Sequence, residues 1–166
     1  MQKALVVEHY IKKFFLQNAQ GDDWWNSLDQ ALEGSKEGPN GGSLKMWYIG
    51  RQWTRQMGFP LVTVKTLNST TVKVWQQRYK WDILLHYQTG KEIFGSKWLK
   101  REEPLYLNIG EGEKAVVVNV DRSGYFRQNY DPRGWQNILK QFKEDHEAVA
   151  EEVQDEKVLA EFSELH

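Results

Sequence analysis

Between Trp53 and Val64 the chain changes its hydrophobic period within a few residues, and this switch constrains the fold more than any other stretch. Before it, Met46, Ile49, Trp53 and Met57 recur at steps of three and four, which places them on one helical face, with Ser43 positioned to cap the start. Gly58 is expected to close that helix in a left-handed conformation, and Pro60 lacks the amide hydrogen that would continue it. Phe59 to Val64 then read as a strand apolar on both faces, as expected of a strand held between two layers.

The same periods parse the rest of the chain. Residues 4–16 read as a helix with Leu5, Val6, Tyr10, Ile11, Phe14 and Phe15 on one broad face. A second helix, capped by Asp22 or Asp23, carries Trp24, Trp25, Leu28, Ala31 and Leu32, so the two form a helical hairpin. That pair is too small to bury its aromatic residues alone and is expected to dock elsewhere, leaving Trp24 and Trp25 reachable by solvent. Glu33 to Ser43, with four glycines and a proline, reads as a boundary or a mobile surface loop. It has no strand before it and no Gly-Lys-Ser/Thr ending, so it is not a phosphate cradle.

From residue 59 to 129, seven β-type runs (59–66, 71–79, 82–89, 93–99, 104–109, 115–120 and 124–129) alternate with turn residues, the pattern of an antiparallel sandwich. Val72 and Val74, then Ile83 and Leu85, point one way along their strands, and Gly110 to Lys114 reads as a hairpin turn. Asp131 and Pro132 are a good N-cap and first helical residue for a helix bearing Trp135, Ile138, Leu139 and Phe142. A last, thinner pattern spans 147–165. The fold class is therefore α+β: a helical segment over 1–57, a seven-stranded antiparallel β-sandwich over 58–131, and C-terminal helices over 132–166.

Composition narrows function mainly by exclusion. With no cysteine, neither a disulfide frame nor a thiolate metal site is available. No run approaches the roughly 18 apolar residues of a membrane span. The net charge of −1 divides into −7 over residues 143–166 and +6 over the remainder, too mild a basic excess for a nucleic-acid groove. His146-Glu147 begins like a zinc-binding helix, but position 150, where a second histidine would face the same metal, is Ala. There is no nucleophile elbow, and Glu102-Glu103 reads as an exposed turn. Most of the 22 aromatic residues are read as core. The rival is a carbohydrate-binding sandwich that stacks sugars on at least two of Trp75, Trp81 and Trp98 on one exposed face. Asn68-Ser69-Thr70 is an N-glycosylation sequon in a loop between two strands, so Asn68 is the one candidate modification site.

Several of these segments, taken in order, resemble the gluzincin zinc aminopeptidases of the aminopeptidase N and glutamyl aminopeptidase type. Trp53 to Val64 is similar to the family's Trp-Thr-x-Gln-x-Gly-[YF]-Pro junction. Tyr10 to Lys13, Asn18-Ala19 and Asp23-Trp24 resemble its late catalytic-domain helices. Gln77-Arg78-Tyr79 resembles its Gln-x-Arg-[FY] strand, and Trp81 with Ile83 and Leu85 resembles a Trp-x-[IV]-Pro-Leu strand, with Leu84 where proline is usual. Asn119 with Gly124 to Asp131 and Trp135 resembles the Asn-x-x-x-x-Gly-[YF]-[YF]-Arg-Val-Asn-Tyr-[DE] segment. Met46 to Ile49 and the acidic tail past Glu147 depart from the pattern.

The resemblance implies a fragment: the end of a catalytic domain, the sandwich, and the start of a C-terminal helical domain. It implies zinc in full-length members, but the Gly-x-Met-Glu-Asn and His-Glu-x-x-His motifs and the catalytic Tyr have no counterpart here. No catalytic, cofactor or metal residue is assigned to this chain. Its implied partner is the missing catalytic domain or a full-length aminopeptidase, its implied setting extracellular or membrane-associated, and Tyr125 and Arg127 are expected to pack the sandwich against helices.

Overall fold

The computed structural model describes residues 2–32, 34, 36–91, 93–112 and 114–144, and it divides after Met57 into two compact units. The helical pattern over 147–165 and the His146-Glu147 pair lie outside the described residues.

The first unit holds α1 (Gln2–Phe14), α2 (Gly21–Ala31) and α3 (Met46–Arg55). Tyr10 on α1 meets Trp24 on α2 edge-on with ring centroids 4.8 Å apart. Trp24 and Trp25 are both half-buried, neither sealed from water nor free in it. The Trp25 ring lies against the backbone of Gly50, where an added Cβ would come within 2.4 Å of it. Helix α2 is entered from Gln20, whose amide is accepted by the Asp23 carboxylate at 2.8 Å, so Asp23 acts from the first turn and not as the cap itself. Asp22 pairs with Arg55 of α3 at 3.1 Å.

Two expectations at α3 are corrected. Its free N-terminal amides are satisfied not by Ser43 but by Asp29 of α2, whose carboxylate accepts from Met46 and from Trp47; Ser43 Oγ instead accepts from the amide of Gly34. The helix also stops at Arg55, with Gln56 already extended, so Gly58 does not close it. Gly58 is required for a different reason: φ is +87° and a Cβ would lie 2.3 Å from the Tyr79 ring. The glycine-rich stretch lies within this unit as a closed hairpin, with Gly38 donating to Gly42 at 2.9 Å and Leu44 to Lys36 at 2.8 Å.

The second unit carries seven strands in two sheets: β1 (Leu61–Thr66), β2 (Thr71–Gln77), β3 (Ile83–Thr89), β4 (Ile93–Leu99), β5 (Leu105–Asn108), β6 (Val116–Val118) and β7 (Arg127–Tyr130), followed by α4 (Pro132–Glu144). One sheet has the order β5-β2-β1-β7, the other β4-β3-β6. The inward alternation read from the sequence is present: Val72, Val74, Ile83 and Leu85 are buried, as are Trp81 and Leu99.

The pairing is not wholly antiparallel. β7 runs parallel to β1, with Leu61 beside Arg127 and Val64 beside Tyr130. After β6 the chain leaves the three-stranded sheet through a 3-10 turn at Val120–Arg122, and Arg127 then donates to the carbonyl of Pro60 at 3.0 Å. β7 thus begins where β1 begins and runs the same way, which a tight hairpin could not achieve. Likewise, β5 and β6, expected to flank a hairpin turn, lie in different sheets and do not pair with each other. The expected strand at 124–129 begins only at Arg127.

Side chains bridge the two sheets. Gln76 on β2 accepts from the amide of Trp81 at 2.9 Å, donates to its carbonyl at 2.6 Å, and reaches the carbonyl of Leu99 on β4 at 3.4 Å. The glutamine that reaches inward is therefore Gln76, whereas Gln77, named from the sequence, is exposed. Asp131 caps α4 as expected, accepting from Gly134 at 2.9 Å, and also receives the Thr66 amide at 3.2 Å. Helix α4 packs on β1, β6 and β7 within this unit, with Ile138 fully buried.

Candidate functional site

Among the described residues no three His, Asp or Glu side chains come together as metal ligands. Glu102 and Glu103 lie at the surface, paired with Lys80 at 3.2 Å and Lys100 at 3.3 Å. Glu8 is held below the ordinary carboxylate range by the Lys12 ammonium 2.5 Å away, one turn along α1. That is a solvent-facing helix pair, not an acid-base device.

The three tryptophans of the sugar-binding reading do not form a platform. Trp81 is 0% exposed and sits in the core. Trp75 and Trp98 are half-buried on β2 and β4, which belong to different sheets.

What the structure does assemble is a face around Phe59, Tyr125 and Arg127, and it is built from the Asn119–Arg127 loop. Asn119 is buried with a left-handed backbone, and its Oδ1 accepts the amide of Gly124 at 2.9 Å. Its own amide donates to His86 on β3 at 2.9 Å. Gly124 has no room for a side chain, because a Cβ would stand 2.2 Å from the Phe126 ring. Phe126 is thereby seated in the core and its neighbours are turned outward. The Arg127 guanidinium lies over the Phe59 ring, 5.0 Å from its centroid, and Tyr125 meets the same ring edge-on at 5.9 Å. Together with Arg122 and Gln128 they border an open depression of about 790 Å³.

Tyr125 is 65% exposed and packs against no helix among the described residues. Tyr130 and Trp135 pack strand against helix, with rings 4.7 Å apart and tilted by 71°. Phe59 reads in the sequence as the start of a strand, and nothing local signals its pairing with Tyr125. A cation stacked on an aromatic ring beside an exposed phenol offers apolar area, a fixed positive charge and a hydrogen-bonding group.

The first unit also exposes apolar residues in a pattern. Val7 and Ile11 on α1 and Phe15 just past its end follow one another at four-residue steps and are exposed, and Leu16 is 92% exposed. Tyr10 faces Trp24, and Phe14 lies against Tyr10 with ring centroids 5.2 Å apart.

No family model matches the chain. Curated relatives do. Aminopeptidase N of Haemonchus contortus is 41% identical over 164 residues, spanning 87% of this chain and 17% of that protein. Glutamyl aminopeptidase of Bitis rhinoceros is 30% identical over 166 residues, covering 84% of this chain and 15% of its own length. Endoplasmic reticulum aminopeptidase 2 of Homo sapiens is 26% identical over 179 residues, covering 87% and 18%. The chain thus spans less than a fifth of the length of these relatives. By this similarity, 41% identity over 87% of the chain, the chain belongs to the aminopeptidase N and glutamyl aminopeptidase family.

Proposed function

We propose that the chain is a non-catalytic segment of a zinc-dependent aminopeptidase, an enzyme that releases N-terminal residues from peptides. Its two sheets would be the β-sandwich domain that braces a catalytic domain against a helical one. The observation that carries this reading is the 41% identity extending over 87% of the chain while occupying only 17% of the relative. The donor set here does not fit zinc: the described residues bring no ligand trio together, and Ala150 stands where His146 would need a partner. No hydrolytic step is therefore assigned to this chain.

On this reading the Phe59–Tyr125–Arg127 face and the Val7–Ile11–Phe15 stripe are surfaces that meet the rest of the enzyme. Apolar and aromatic area left exposed in ordered arrays is typical of contact surfaces. Alone, the chain would act as an interaction module whose partner is a catalytic domain or a full-length aminopeptidase, in the extracellular or membrane-associated setting of the family. A panel of aminoacyl anilides, offered with and without added zinc while bound metal is measured, tests the proposal. No turnover and no stoichiometric zinc is the expected result; hydrolysis that rises with bound zinc would overturn it.

A further inference from the structure

We propose that Asn68 is the acceptor of an N-linked glycan, and that this glycan marks one end of the strand-bearing unit as solvent-facing. The geometry of a single loop carries the proposal, which rests on the extracellular or membrane-associated setting of the aminopeptidase reading. Asn68-Ser69-Thr70 is the one Asn-x-Ser/Thr triplet in the sequence, and its third residue is threonine. It forms the tip of the β1–β2 hairpin, closed by Leu67 donating to Thr71 at 3.0 Å, and both Asn68 and Ser69 are exposed.

Within that tip the acceptor side chain is already arranged. Asn68 Oδ1 accepts from the backbone amide of Thr70 at 2.9 Å and from its hydroxyl at 3.0 Å. Among the described residues Asn68 Nδ2 donates no hydrogen bond, so the nitrogen is left facing solvent. Two donors on Oδ1 draw electron density out of the carboxamide and make the Nδ2 proton easier to lose. This turn spans only two residues, so it can form in a nascent chain before either sheet exists. Glycosylation also leaves Oδ1 in place as an acceptor, so the turn survives the modification and no bond of the fold is given up.

The transfer itself balances simply. Nδ2 forms a bond to the anomeric carbon of an oligosaccharide carried on a lipid diphosphate. The bond between that carbon and the diphosphate oxygen breaks with its electron pair, and the Nδ2 proton passes to a carboxylate of the transferase. No oxidant or reductant is required.

The site has a directional consequence. β1 runs from Leu61, which lies beside Arg127, to Thr66, which leads into the glycosylated tip. Six residues of strand separate the two ends by roughly 20 Å. A glycan on Asn68 therefore leaves the Phe59–Tyr125–Arg127 face uncovered, while keeping any protein surface off the opposite end.

The test sends the whole chain through the secretory pathway of eukaryotic cells behind a cleavable signal, then compares intact mass before and after peptide-N-glycosidase digestion in ¹⁸O water. The expected result is a loss of glycan mass with an ¹⁸O-labelled aspartate at position 68. Both Asn68→Gln and Thr70→Val should lack the shift, and Thr70→Ser should lower occupancy. Material retained in the cell is digested in parallel, so that poor export still gives a reading. A wild-type chain whose mass is unchanged by the glycosidase, a glycan that persists in Asn68→Gln, or full occupancy in Thr70→Val would each overturn the proposal.

Discussion

The phenolic oxygen of Tyr130 on β7 accepts the amide N–H of Val118 on β6 at 3.0 Å, so one side chain ties the four-stranded sheet to the three-stranded one. The same residue stands edge-on to Trp135 and so anchors α4 as well. Its place in the Asn-Tyr-Asp-Pro segment thus has a physical content: a sheet, its neighbour and a helix meet on one ring.

Tyr130→Phe separates these roles. The phenylalanine ring keeps the contact with Trp135, but the Val118 amide, in a residue with no exposed surface, loses its acceptor. An unsatisfied buried donor costs about 1–3 kcal/mol. The urea midpoint should fall accordingly with its slope unchanged. An unchanged midpoint would show that the bond across the sheets contributes nothing to stability.

Asp131 is a cap with a second task, since it holds the Gly134 amide at the start of α4 and both the amide and the hydroxyl of Thr66 at the end of β1. Asp131→Ala should destabilise by more than the ~1 kcal/mol usual for a lost cap. Asn keeps the length and an acceptor oxygen, whereas Ser can still cap but is too short to reach Thr66. Thermal midpoints should therefore rank Asp, then Asn, then Ser, then Ala. Equal midpoints for Ser and Asn would mean that the Thr66 contacts are idle.

Features that depend on neighbouring residues were legible in the sequence, and those that depend on distant ones were not. The strands around Val72 and Val74, and around Ile83 and Leu85, declare themselves by alternation, and Asp131-Pro132 declares a helix start because capping is local. By contrast, Ser43 is as good a cap for α3 as Asp29 until the fold places Asp29 against the Met46 amide from 17 residues upstream. The parallel pairing of β7 with β1 follows from where the chain crosses between sheets, which no period in either strand encodes. The Phe59–Tyr125–Arg127 face is invisible for the same reason. Phe59 reads as part of one strand and Tyr125 and Arg127 as part of another, and only the loop held by Asn119 brings the three together.

Gln76 and its neighbour offer a direct contrast between an inward and an outward glutamine. Gln76→Leu should fit the buried space but strand both the amide and the carbonyl of Trp81. Two orphaned backbone groups place the expected loss at roughly 2–5 kcal/mol. Gln77→Leu, at an exposed position one residue on, should stay within about 0.5 kcal/mol. Comparable losses at the two positions would sink the assignment of the inter-strand bridge to Gln76.

Gly50→Ala sets two effects of opposite sign against each other inside α3. Helix propensity favours alanine over glycine by about 1 kcal/mol in a helix interior. The new methyl, however, would lie 2.4 Å from the Trp25 ring carbons, closer than any real contact, so ring or helix must shift. Overpacking of this kind costs typically about 1–3 kcal/mol, so the steric term should prevail and the first unit should melt at a lower temperature. The displaced indole should also change its emission, whereas an Ala at an exposed α3 position such as Thr54 should leave emission as it is. A stabilised Gly50→Ala chain with unchanged tryptophan fluorescence would mean that Trp25 does not rest on Gly50, leaving the Asp22–Arg55 pair and the Asp29 bonds to join α2 to α3.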